Sequence, residues 1–121
     1  MKYVRAENTV RRTVLGTRIG MADWWWLRLV GLLGREQLVP GEGLLLRPCR
    51  AIHMLGMSQS LDVAFLDPSG RVVATYAGLS PGRRTSWHSQ ARDALELPLG
   101  TLAATDTREG DTIVCSAEET S

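Results

Sequence analysis

The stretch LDVAFLDPSGRVVATYA, residues 61–77, decides the fold of this chain of 121 residues. Its first half alternates, as a strand does when its two faces lie in different environments. Leu61, Val63 and Phe65 are predicted on one face of that strand, and Asp62 on the opposite face. A carboxylate inside such a strand must be solvated or paired, which makes Asp62 a residue of interest.

The middle of this stretch, Asp67–Gly70, has the composition of a tight turn. Proline sets φ at the second position of the turn, and glycine tolerates a positive φ at the fourth. Residues 71–77 then return with valine, threonine and tyrosine, which favour strands. We therefore predict an antiparallel β-hairpin over residues 61–77.

Segments on both sides extend the hairpin into a larger sheet, and two further segments have helical patterns. Residues 23–34 begin with Asp23 as a helix N-cap, carry apolar residues at helical spacing and end at Gly34. Residues 99–105 can form one or two helical turns. The other predicted strands are residues 9–21 (one strand or two short ones), 43–46, 94–97 and 112–115.

The composition is that of one soluble domain, residues 1–121, with an ordered core of about 9–115. A net charge of +1 creates no extended positive potential that would attract nucleic acid, so nucleic acid is not expected as a partner. The N-terminal residues are charged and lack an apolar signal core, which favours a cytoplasmic location. The most apolar run, residues 21–33, carries Asp23 and Arg28 and is too short to span a bilayer.

Cys49 and His53 place a thiol and an imidazole close together in the chain. Three interpretations stay open: a structural cysteine beside a hydrogen-bonded histidine, a Cys–His nucleophile pair, or half of a zinc site completed by His88 and Cys115. The structural interpretation is the simplest, because two candidate ligands do not make a site. No cofactor or metal is expected.

Asp62 has two interpretations of its own. With Arg47, Arg50 or His53 it can form a network that fixes the neighbouring loop, or it can be the polar floor of a ligand pocket. Gly56 and Met57 allow a close backbone approach and an adaptable apolar groove, although core filling explains them as well.

Two surface features complete the candidates. Arg83 and Arg84, near Trp87, form either a solvated loop or a contact for a phosphate or an acidic partner. Trp24 lies on the polar face of the predicted helix, where it either packs beneath a loop or is exposed. In the exposed case, Trp24–Trp26 contact a protein partner or a membrane surface.

The order of motifs resembles the DUF192 family, also called UPF0127. Four blocks carry this resemblance over roughly residues 10–115, and their order is more specific than any one of them. The blocks are WWLRLVGLLGR (25–35), GEGLLLRPCRAIHMLG (41–56), LDVAFLDPSGRVV (61–73) and ALELPLGT (94–101) followed by Gly110-Asp111.

The resemblance implies a compact domain with strands curled into a barrel-like sheet, and no assigned activity. We therefore expect an α+β fold: a mainly antiparallel, barrel-like curved sheet, an N-terminal helix at about 23–34, and a short helix or turn at about 99–105. The expected function is binding of a small molecule or a protein partner through Arg50, His53, Gly56, Met57 and Asp62. The alternative is a small hydrolase or metal-dependent enzyme that uses Cys49, His53 and Asp62.

Overall fold

The computed structural model describes residues 2–22, 38–54 and 57–117. They form seven strands and one short helix. The strands are β1 Tyr3–Asn8, β2 Thr13–Ala22, β3 Glu42–Leu46, β4 Leu61–Leu66, β5 Val72–Leu79, β6 Asp93–Pro98 and β7 Ile113–Ala117, and the helix α1 is Thr101–Ala104.

The predicted α+β class is wrong. The described part of the chain is nearly all β, with one four-residue helix that falls inside the predicted segment 99–105. The sheet is also mixed, because β2 and β3 run parallel while the other neighbours run antiparallel. The predicted helix at 23–34 lies outside the described residues. In the described residues, the backbone groups are satisfied by strand pairing rather than by helical hydrogen bonds, and pairing between distant segments leaves little signal in local spacing.

The seven strands form one curled sheet in the order β5-β4-β6-β3-β2-β1-β7, shaped as a half-barrel. Its two edge strands approach each other at one end, where Arg71 and Thr112 form an isolated antiparallel bridge. The Ile113 N–H donates to the Gly70 carbonyl oxygen at 2.8 Å and fixes this contact. The half-barrel is thus joined at one end by a few residues rather than by a full strand pair.

The predicted hairpin is confirmed, since β4 and β5 pair antiparallel across the turn 67–70. The Asp67 carboxylate accepts hydrogen bonds from the Ser69 hydroxyl and from the Ser69 and Arg71 N–H groups. The Ser69 hydroxyl, followed by these N–H groups, lowers the pKa of Asp67. Gly70 has φ +88°, and a Cβ there would collide with the Ile113 carbonyl. Glycine is therefore required by the conformation and by the closing contact.

The core lies on both faces of the sheet, so β4 and β6 are buried along their whole length. The inner face of the half-barrel collects side chains from all seven strands and from Leu102 of α1. The outer face of β3, β4, β5 and β6 is covered by residues from the long loops. The predicted alternation is confirmed. Leu61, Val63 and Phe65 belong to the outer cluster, and Ala64 and Leu66 to the inner one.

Within the described ranges, no helix has the length and apolar character needed to cross a membrane.

Candidate functional site

Two irregular segments, 49–54 and 82–88, run side by side over the outer face of the sheet. The Thr85 N–H donates to the Ile52 carbonyl at 2.9 Å, and the Ile52 N–H donates to Thr85 Oγ1 at 3.0 Å. The Met54 N–H donates to the Arg83 carbonyl at 2.8 Å. Ile52 and Met54 are buried in the outer core, so this pair of segments is held by hydrogen bonds and by burial together.

His53 lies between these two buried residues and is exposed. It forms an isolated antiparallel bridge with Arg84, which is also exposed. Directly opposite residues of an antiparallel pair have Cβ atoms roughly 5 Å apart. The imidazole of His53 and the guanidinium of Arg84 therefore start from neighbouring positions on the solvent side.

We define the basic surface as the five exposed side chains Arg50, His53, Arg83, Arg84 and Trp87. Trp87 is 69% exposed, an unusual state for so large an apolar side chain. The structure thus brings together Arg50 and His53 with Arg83 and Arg84, which lie about thirty positions later in the chain.

The two segments carry no acidic residue. Residues 49–54 and 82–88 contain three arginines and two histidines and no aspartate or glutamate. Among the described residues, no carboxylate lies within ion-pair distance of Arg83 or Arg84. Arg50 is anchored by its Nε, which donates to the Ala91 carbonyl at 3.1 Å. Such a surface can receive negative charge from a partner.

Behind Trp87, a cluster of rings holds the loop against the sheet. His88 is half-buried, with its ring centroid 4.6 Å from that of Phe65. Its Nε2 lies 2.7 Å from the Tyr76 hydroxyl. The Tyr76 hydroxyl oxygen accepts a hydrogen bond from the Ser86 N–H at 3.2 Å, so the Tyr76 O–H can donate a hydrogen bond to His88 Nε2. This cluster explains how Trp87 remains exposed on a fixed backbone.

Two other predicted ligand residues, Met57 and Asp62, lie away from the basic surface. Met57 is buried in the outer core. Gly56 and Trp24 lie outside the described residues, as do Trp25 and Trp26. Asp62 points to the inner face, away from His53 and Arg50, so the structure does not bring Asp62 and Met57 together with those two residues.

The Asp62 carboxylate is 1% exposed and accepts three backbone N–H groups. Oδ1 accepts a hydrogen bond from the Gly78 N–H at 2.9 Å. Gly78 lies at a register shift between β4 and β5, which places one extra residue of β5 opposite Asp62. Oδ2 accepts from Gly100 at 3.1 Å and from Leu102 at 2.9 Å, at the start of α1. Gly100 offers no side-chain cap, so Asp62 supplies the cap from the sheet.

The residues of the enzymatic alternative are separated in the same way. The Cys49 thiol donates to the Ala51 carbonyl at 3.2 Å, and Asp62 lies on the other side of the sheet. Nowhere in the described part of the chain do three histidine, cysteine or acidic side chains gather as a metal site would require. Neither Cys49 nor Cys115 is in a disulfide bond, and burial, followed by the charge of Asp93, raises the pKa of Cys115.

The structure also reveals two buried acids that the sequence did not single out as network centres. Asp93 receives two hydrogen bonds from Arg47, at 2.7 and 2.9 Å, and two from Arg92, at 3.2 and 3.1 Å. Asp111 accepts from Asn8, Arg11 and the Arg108 N–H. In the sequence, the one signal for Asp93 is its position directly after Arg92, and Asp111 stands out only as part of the Gly110-Asp111 block.

Fold and site together define a curled mixed β domain with a polar network inside and a basic surface outside. The chain belongs to the DUF192 family, described as "Uncharacterized ACR", whose model matches residues 6–115. No curated protein matches the chain.

Two solved structures share the fold. One is a Sinorhizobium meliloti 1021 protein provisionally described as a transcription regulator. It is 21% identical, with 95% of this chain and 96% of that chain covered and a TM-score of 0.76. The other is a protein of unknown function from Novosphingobium aromaticivorans DSM 12444. It is 23% identical, with 93% and 83% covered and a TM-score of 0.76. Identities this low show the fold alone.

Proposed function

We propose that this protein is a binding module, and that its basic surface takes an acidic segment of a partner protein. The observation that carries the proposal is the charge of segments 49–54 and 82–88. They present Arg50, His53, Arg83 and Arg84 to solvent without any acidic residue. An anionic partner would supply the missing opposite charge and would be guided to the surface by it.

The character of the exposed side chains supports protein recognition. Arginine and tryptophan are the residues most often found to dominate the binding energy of protein interfaces. Trp87 supplies a large apolar area with few rotatable bonds, and Arg83 and Arg84 supply hydrogen-bond donors beside it. The backbone beneath them is fixed by its hydrogen bonds, so ordering it on binding costs little.

The wider charge distribution favours a compact acidic segment over nucleic acid. The whole chain has a net charge of +1, because 13 acidic residues outside segments 49–54 and 82–88 offset its 14 lysines and arginines. Binding of a duplex normally uses a wide basic field, which this balance does not supply. The description of the Sinorhizobium meliloti protein as a regulator makes DNA a useful arm of the test.

The test is fluorescence polarisation with a short labelled peptide of glutamates around one tyrosine, and with a DNA duplex of equal net charge. The double variant R83A/R84A should bind the peptide at least about tenfold more weakly than wild type, a loss of roughly 1.4 kcal/mol. The control is R12A/R108A, which removes the same charge from exposed sites elsewhere.

Equal weakening in the two double variants would mean that net charge alone drives binding, and it would refute the proposal. Tighter binding of the duplex than of the peptide would refute it in favour of nucleic acid.

A further inference from the structure

We propose that His53 and Arg84 form a subsite for a phosphoryl group carried by the acidic segment. This inference rests on the proposed function and deepens it, because it names the chemical group that the basic surface recognises. It is carried by the cross-strand pairing of these two residues and by the chemistry of their side chains.

The pairing gives the subsite its geometry. The Thr85 N–H bond to the Ile52 carbonyl lies on one side of the pair, and the Met54 N–H bond to the Arg83 carbonyl on the other. The backbones of His53 and Arg84 are thus held between two fixed points. Donors from opposite positions can reach one tetrahedral group together, since their Cβ atoms are separated by only about 5 Å.

The charge of Arg84 selects the ligand. Its guanidinium is permanently positive, and an acidic neighbour would balance that charge. No carboxylate among the described residues lies within ion-pair distance of Arg84. An anion from a partner can fill that role, and a doubly charged anion does so better than a singly charged one.

The number of oxygens also favours phosphate over carboxylate. The two parallel N–H groups of one guanidinium meet both oxygens of a carboxylate. The His53 ring adds an N–H donor from the opposite position, which a third oxygen can accept. A phosphoryl group has three terminal oxygens and nearly twice the charge, and arginine clusters are a recurring way to bind it.

The position of the pair favours a phosphoryl group attached to a chain. His53 and Arg84 are both exposed on an open surface, where a free ion keeps much of its hydration. An attached group gains from the neighbouring contacts of its own chain, including Trp87, because their effective concentration is high.

The experiment compares three probes on the full chain: the acidic peptide with a central serine, the same peptide with phosphoserine, and inorganic phosphate as a competitor. Wild type should bind the phosphopeptide about tenfold more tightly than the serine peptide. In H53Q and in R84Q, the preference for the phosphopeptide over the serine peptide should fall below about twofold. H53Q should bind the serine peptide almost as tightly as wild type does. Inorganic phosphate should compete only weakly.

A second readout is the imidazole signal in NMR spectra, since His53 and His88 are the only two histidines. The phosphopeptide should move the His53 signal and leave that of His88, which H88Q identifies. R12Q controls for the loss of one exposed charge.

The outcomes separate the two proposals. If the serine peptide binds and phosphorylation adds nothing, the phosphoryl subsite is refuted and the binding module stands. If neither peptide binds, both are refuted. If inorganic phosphate competes as well as the phosphopeptide, the subsite belongs to the free ion, and the claim of a phosphorylated partner is refuted.

Discussion

Asp62 and the basic surface lie on opposite faces of the same sheet, and they treat charge in opposite ways. The Asp62 carboxylate is buried and has three backbone N–H donors. The guanidinium groups of Arg83 and Arg84 are exposed and meet no carboxylate among the described residues. Charge that is saturated internally supports the fold, and charge that is left available supports binding. Mutation of Asp62 should therefore reduce stability, whereas mutation of the arginines should reduce binding.

The largest effect is expected for Asp62→Ala. This substitution removes the acceptor of the Gly78, Gly100 and Leu102 N–H groups. Water can replace that acceptor only in part. The free energy of unfolding should fall by about 3 kcal/mol, as measured by urea denaturation. Glu109→Ala, at an exposed acidic residue, is the control and should cost less than about 1 kcal/mol. If Asp62→Ala lowered the free energy of unfolding as little as the control does, Asp62 would not support the fold and the contrast with the arginines would be lost.

A second saturated acid, Asp111, should respond to pH in the direction set by its hydrogen bonds. Burial raises the pKa of Asp111, but hydrogen bonds from Asn8, the Arg108 N–H and Arg11 outweigh it, so the pKa lies below its ordinary value of 3.8. The folded state therefore favours the carboxylate. Its contribution is present above the ordinary pKa and is lost as pH falls through the lowered one.

Asp111→Asn should therefore destabilise the protein by about 2 kcal/mol at pH 7, as measured by urea denaturation. The difference from wild type should shrink below about pH 4. A difference that grows on acidification would contradict this assignment.

The arginine pair should behave differently under salt. Binding of the acidic peptide to wild type should weaken several-fold as salt is added, because exposed charges are screened within a Debye length of about 10 Å at 0.1 M. R83A/R84A should lose most of this salt dependence, and R12A/R108A should keep it. An unchanged salt dependence in R83A/R84A would place the electrostatic contact elsewhere.

The smallest effect is expected for the stability of R83A/R84A. Substitutions at exposed positions without fixed partners usually change the free energy of unfolding by less than about 0.5 kcal/mol. Thermal and urea unfolding should match wild type within that range. A larger loss would mean that these arginines support the fold and would remove the contrast with Asp62.

Local patterns made part of the fold predictable. The hairpin at 61–77 follows from alternation and from Asp67–Gly70, all within one short segment, and both features are confirmed. The class was misjudged because strand pairing joins distant segments, such as β1 with β7 and β3 with β6. Spacing along the chain carries little information about such pairs.

The same limit applies to the site. Asp62 was recognised as unusual, but its donors come from a bulge in β5 and from α1, which no pattern near residue 62 announces. For Arg83 and Arg84, the sequence leaves open both a solvated loop and a contact for an anionic partner. Their position beside His53 depends on the bond from the Met54 N–H to the Arg83 carbonyl, and the sequence does not encode this contact as a visible motif.

The pairing of β1 with β7 has a consequence for the order in which the protein can form. β1 is made early and pairs on one side with β2, but its other neighbour is Ile113–Ala117. During synthesis, one edge of β1 and the inner apolar face beside it must stay open until that late segment leaves the ribosome. The nascent half-barrel is therefore most vulnerable to strand exchange just before its final strand is added.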